Sequence, residues 1–102
     1  SPNSGKLLEN VVYNQLIHAK YEDVAFVRTS EECDFIARRD GIWNAFQVCY
    51  DLDSTNRERE LSGFEVIDPQ LKVSSKTIIT YNQKDRIDDI EVVPLYEWIF
   101  KA

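Results

Sequence analysis

Two β-rich runs, CDFIARR (33–39) and IWNAFQVCY (42–50), are parted only by Asp40 and Gly41. Both residues readily take positive φ, and a two-residue Asp-Gly link between such runs marks a tight hairpin. An antiparallel pair is therefore expected there, and counting outward from the turn sets 39 against 42 and Asp34 against Gln47. A third run, VAFVRT (24–29), precedes them across a short acidic link, so three strands in succession are expected. Strand alternation sorts the side chains to faces. Along the third strand Phe46, Val48 and Tyr50 point one way and Ala45, Gln47 and Cys49 the other, while Asp34 and Ile36 share a face of the second.

The hairpin unit is flanked by helical patterns. Leu8, Val11, Val12, Leu16 and Ala19 recur at i, i+3, i+4 spacing with Leu7 and Ile17 beside them, which predicts a helix over 5–20 capped by Ser4 or Asn3. Glu9 falls in its first two turns, at the edge of the apolar stripe, and is expected to reach the neighbourhood of Asp34 and Gln47. After the third strand, STNRERELSGFEVI predicts a helix over 55–67 capped by Ser54 or Thr55, weakened at Gly63 and ended by Asp68-Pro69. KTIITY (76–81) reads as a buried strand, NQKDR as a turn and IEVVPL (90–95) as a last strand. PLYEWIF closes the chain as a helix with Pro94 near its first turn. A strand reached through a crossover helix pairs parallel, so the class is α/β: a mixed sheet with helices on both faces, in three layers.

Charge and cysteine use narrow the function. Twelve Lys and Arg against eighteen Asp and Glu leave a net charge of -6, a field that repels nucleic acid and anionic membranes, so any DNA contact needs a local basic patch. Arg57 and Arg59 are the candidates for one, although a run such as RERE is also simply a solvated helix face laced by charge pairs. Cys33 and Cys49 have no zinc-ligand spacing, and no apolar run is long enough to span a membrane, so a cytoplasmic location is expected. SGK at 4–6 lacks the upstream Gly and following Ser or Thr of a phosphate-binding loop. The polar opening SPNSGK and the absence of methionine suggest residues 1–4 as a leader before a single domain over 5–102, cut from a longer polypeptide.

The order of elements carries a resemblance. An acid on the first helix, an Asp on the second strand, then two positions two apart on the third strand, followed by a helix and a strand, resembles the PD-(D/E)XK nuclease superfamily. The segments GKLLENVVYNQL, ECDFIAR, FQVCYDL, RERELSGF, TIITY and IEVVPLYEWIF look like one branch of it, the C-terminal domain of bacterial and archaeal AAA-type ATPases. The resemblance runs from Gly5 to Phe100. It implies a restriction-endonuclease-like αβββαβ core and, position by position, Glu9 as the first-helix acid, Asp34 as the metal-binding aspartate, Gln47 at the second acid and Cys49 at the lysine.

In active members of the superfamily the carboxylates hold magnesium, which binds the scissile phosphate and acidifies the attacking water, while the lysine steadies developing charge. Gln47 keeps a carbonyl oxygen but loses the charge. Cys49 supplies neither a cation nor a hard ligand. No lysine lies between residues 21 and 71, which leaves Arg28, Arg38, Arg39, Arg57 and Arg59 as stand-ins. The expectation is an accessory domain of an ATPase with nuclease chemistry lost, serving as an interaction or regulatory module, with no cofactor. Two alternatives stand beside it: a weak magnesium-dependent DNA nuclease holding its ion on Glu9, Asp34 and Gln47, and a pure protein-docking domain. The plainest reading of the same residues is a solvated helix acid, a hydrogen-bonded strand aspartate, a paired strand amide and a small buried thiol.

Overall fold

Asp40 and Gly41 both adopt positive φ, 54° and 78°, and the hairpin they make has the register counted from the sequence: Arg39 faces Ile42 and Asp34 faces Gln47. The computed structural model describes residues 2–28, 33–67 and 71–101, without the side chains of residues 2, 27, 28, 33 and 34. Its elements run α1 (Pro2–His18), β1 (Asp23–Arg28), β2 (Cys33–Arg39), β3 (Ile42–Val48), α2 (Arg57–Ser62) with a 3-10 turn (Gly63–Val66), β4 (Ser75–Thr80), β5 (Asp85–Ile87), β6 (Ile90–Pro94) and α3 (Leu95–Lys101). The six strands form one mixed sheet in the order β1-β2-β3-β4-β6-β5. β3, β4 and β6 pair parallel, and the remaining neighbours antiparallel.

Alternation divides the core in two. Phe46 and Val48 on one face of β3 join Leu8, Val12 and Leu16 of α1 and Trp98 of α3. Ala45 and Cys49 on the other face join Phe64, Ile78 and Val92. Helical elements therefore cover both faces, as the crossover topology requires. On α1 only the i, i+4, i+8 line of Leu8, Val12 and Leu16 is buried, while Leu7, Val11 and Ile17 face outward.

Several expected boundaries move. α1 begins at Pro2, so residues 2–4 belong to the helix; proline's fixed φ suits the first turn, where its missing N–H is no loss. Asn3 and Ser4 lie inside that turn. α2 begins two residues later than predicted, and neither Ser54 nor Thr55 caps it. Its N-cap is Asn56, which makes no side-chain cap hydrogen bond, and Asp53 instead ties the turn ahead of it: Asp53 Oδ1 accepts from the Thr55 amide (2.9 Å), the Thr55 hydroxyl (2.6 Å) and the Asn56 amide (3.0 Å), and Asn56 Oδ1 accepts from the Asp53 amide (2.9 Å). Those bonds hold the Asp53 carboxyl below its ordinary pKa, the Thr55 hydroxyl most strongly. At Gly63 the α-helix tightens to 3-10 geometry. The expected stop at Asp68-Pro69 lies outside the described residues. β5 falls partly in the segment read as a turn, and it pairs with β6 across Asp88, which takes φ 54°.

β3 ends at Val48, yet its ladder to β4 continues through Cys49 N–H to Ile79 O (3.0 Å) and Tyr81 N–H to Tyr50 O (3.1 Å). Beyond it, Gln83 takes hold of the loop: its Oε1 accepts from the Leu52 amide (2.7 Å) and its Nε2 donates to the Leu52 carbonyl (2.8 Å).

Candidate functional site

Past the end of β3 the two helical layers approach one another, and a cleft of about 320 Å³ opens between them. Lys6 and Glu9 of α1 line one side, Asn56, Arg59 and Glu60 the other, and Val48 to Asp51 the strand end between them. Two of the four positions singled out by the resemblance, Glu9 and Cys49, thus share one cavity. Gln47 lies one alternation earlier on the same strand face as Cys49. Asp34 is opposite Gln47 in the backbone register, and its side chain lies outside the described residues. A separate cleft of about 530 Å³ is lined by Asp53, Arg57, Gln83 and Lys84, and it contains none of these four positions.

Gln47 is 0 % exposed and donates through Nε2 to the carboxylate of Glu60, itself only 5 % exposed. That pairing explains the amide. A buried carboxylate is tolerable where a donor faces it, and an acid at 47 would set like charges together away from water. The other half of the amide, Gln47 Oε1, is buried without a hydrogen-bond partner. Arg59 Nη2 stands 3.8 Å from the second Glu60 oxygen.

Cys49 is buried and free. Asn56 Nδ2 approaches its Sγ at 3.7 Å and donates to the Asp51 carbonyl at 2.9 Å. Burial first, and the neighbouring Glu60 charge second, push the Cys49 thiol up to about 12. At neutral pH it is an uncharged S–H, unable to do the work of a lysine and inert as a nucleophile. A pH dependence follows. The folded pKa lies above the unfolded one, so the thiol's contribution is fully present below about pH 9 and is lost as pH rises towards 12, by about 1.4 kcal/mol per unit. Urea denaturation of the unaltered chain and of Cys49→Ala across about pH 8 to 11 should show the two stabilities converging as pH rises; parallel profiles would refute the shift.

The predicted cationic stand-ins are mostly engaged elsewhere. Arg38 pairs with Glu22 (3.3 Å) and with Asp23, and Arg39 stacks over Tyr21 at 4.2 Å. Arg57 lines the separate cleft, so it and Arg59 do not form one basic patch. The Arg28 side chain lies outside the described residues. The cation that sequence reasoning passed over is Lys6, one helical turn before Glu9. The acid it passed over is Glu60, read as part of a solvated face, although it stands four residues before the buried Phe64 and so shares its side of the turn.

Among the described residues no three of His, Cys, Asp and Glu come together as a metal site. The cleft carries the carboxylates of Glu9 and Glu60 with the cations Lys6 and Arg59 beside them, whereas the fully buried Gln47 does not line it and the Cys49 thiol is a soft ligand poorly matched to magnesium. Among the described residues no helix is long and apolar enough to cross a membrane.

Residues 4–98 match the family described as "Domain of unknown function (DUF4143)". The chain is also similar to "Uncharacterized protein MJ1544" of Methanocaldococcus jannaschii, at 36 % identity over 96 % of the chain. It spans 25 % of that protein's length. No solved structure matches.

Proposed function

Because the chain belongs to the DUF4143 family, with a fold whose strand end gathers Glu9, Glu60 and Cys49, we propose that it is an accessory domain of nuclease-like ancestry whose cleavage chemistry is lost. It works as an interaction or regulatory module of a larger ATPase. The observation that carries this reading is Cys49. The position where the PD-(D/E)XK pattern needs a cation holds a buried thiol pushed up to about 12, so it cannot offset charge developing on a phosphate. The ATPase partner rests on the resemblance of the six quoted segments, and the restriction-endonuclease-like core on the αβββαβ order and the register of Asp34 against Gln47.

The interaction role draws support from the layer formed by α1 and α3. Leu7 and Val11 on α1, and Tyr96 and Phe100 on α3, are exposed apolar side chains, with Phe100 90 % open to solvent. Such residues on a small acidic domain favour a protein partner over a nucleic acid.

A cleavage assay tests the reading. The chain, incubated with magnesium or manganese and with single-stranded DNA, duplex DNA or RNA, should leave each substrate intact. Metal-dependent cleavage that disappears in Asp34→Ala would overturn the proposal and favour the alternative of a weak magnesium-dependent nuclease, with Lys6 or Arg59 as its cation. Cleavage gained only in Cys49→Lys would identify the missing cation as what was lost.

A further inference from the structure

We propose that β1 is a docking edge for a second copy of this chain, the two β1 strands pairing antiparallel about a two-fold axis at Ala25 so that the sheet runs on across the dimer. The inference stands apart from the nuclease-like ancestry proposed above. The two edges of the sheet differ in kind. β5, at one edge, is three residues long, and two of them, Asp85 and Arg86, are charged, which is how proteins ordinarily blunt an edge. β1, at the other, is six residues long, has Val24, Ala25, Phe26 and Val27 at its centre and contains neither proline nor lysine. Among the described residues nothing pairs with its outer side. Phe26 is 55 % exposed there, edge-on to Tyr13 of α1 with ring centres 6.3 Å apart, and Ile17, one helical turn beyond Tyr13, is 49 % exposed.

The ladder fixes which registers are available. A two-residue hairpin closes on a hydrogen-bonded pair, here Arg39 and Ile42, so the odd residues of β2 bond to β3 and the even ones turn to β1. The Arg38 carbonyl accordingly accepts from the Glu22 amide at 2.7 Å. Ala25 lies opposite Ile36 and is spent on that pair, which leaves the N–H and C=O of Val24 and Phe26 pointing outward in the plane of the sheet. Two copies of β1 can bond only where such outward residues face each other, so the two-fold axis passes through a residue and not between two. Charge then chooses the residue. Among the described residues Glu22 and Asp23 share one cation, Arg38, and the start of β1 keeps an excess negative charge. An axis at Phe26 would set Glu22 against Ser30 and Val24 against position 28, an arginine. An axis at Ala25 sets Glu22 against that arginine on each side, pairs Val24 with Phe26 through about four ladder hydrogen bonds, and brings the small Ala25 side chains together where the strands approach most closely. β1 is thus self-complementary, acid first and base last, which favours a second copy over an unrelated strand. Phe26 of each copy covers Val24 of the other, on the face that carries Tyr13.

Sedimentation velocity from roughly 5 to 500 µM should show the unaltered chain passing from monomer to dimer, the range suited to a small strand-to-strand interface. Ala25 is exposed, so Ala25→Glu leaves the monomer folded while setting two carboxylates face to face on the axis, and it should weaken the dimer by at least about fivefold. Ala25→Cys should do the reverse. Opposed residues at such a position lie within disulfide reach, so mild oxidation should capture the dimer through a bond joining position 25 of one copy to position 25 of the other, which peptide mapping by mass spectrometry reads. Circular dichroism checks the fold of both variants, and should Ala25→Glu fail to fold, Ala25→Cys decides. A chain still monomeric at about 500 µM overturns the proposal. So does a dimer that a folded Ala25→Glu leaves unchanged, or one that Ala25→Cys fails to join at that position.

Discussion

Gln47→Glu, which puts an acid at position 47, should destabilise the fold by roughly 3 to 5 kcal/mol at neutral pH. The PD-(D/E)XK pattern would favour the substitution, but the structure makes it an injury. Gln47 is fully enclosed between Asp34 of β2 and Ile78 of β4 in the register, and its amide donates to the buried Glu60 carboxylate. Glutamate keeps the shape, removes the donor and sets two carboxylates together where water cannot screen them. One of them must keep its proton, so the shared folded pKa rises above the unfolded value of about 4.3. The sign follows: the variant is nearly as stable as the unaltered chain below about pH 4, and its deficit grows as pH rises through the raised value. Urea denaturation from acid to neutral pH reads this directly, and a loss below about 1 kcal/mol at neutral pH would refute the buried pairing.

Trp98→Ala should cost a similar amount, about 3 to 5 kcal/mol, for an unrelated reason. Trp98 is 4 % exposed on α3 and meets Phe46 edge-on, with ring centres 5.7 Å apart. Phe46 in turn meets Tyr21 edge-on at 6.2 Å. Truncating the indole removes the side chain that ties α3 to the central strand and leaves a cavity in the core layer shared with Leu8, Val12 and Leu16. The natural control is two residues away. Phe100 is 90 % exposed, and Phe100→Ala should change stability by no more than about 0.5 kcal/mol. Equal losses in the two variants would mean that α3 packs otherwise than described.

Legibility followed the strength of the local signals. The Asp40-Gly41 turn admits one register, so the pairing of Asp34 with Gln47 could be counted from sequence alone. Strand alternation likewise assigned Phe46 and Val48 to one core and Ala45 and Cys49 to the other. β5 was missed because two of its three residues are charged and its hairpin turns on Asp88 in place of an Asn-Gly or Asp-Gly pair. The part Asp53 plays in the turn before α2 was missed because its hydrogen bonds form ahead of the first helical residue, in a loop held by Gln83 far along the chain. The site was half visible. Strand register fixed where Gln47 and Cys49 fall, whereas Glu60 belongs to a six-residue helix, too short for charge periodicity to reveal which side faces in. Lys6 was passed over because the search for a cation looked near the strand it would replace, while the fold brings α1 across to the same cleft.

Gln83 carries a different lesson, about inheritance. With one amide it answers both backbone groups of Leu52, as a neighbouring strand would, although no strand runs there. Among side chains of that length only glutamine presents an acceptor and a donor side by side; glutamate would match the Leu52 amide and repel its carbonyl. The loop that carries Asp51 and Asn56 to the rim of the cleft is therefore spelled partly by a letter thirty-one residues downstream. A substitution at position 83 would be read out at a site it does not touch.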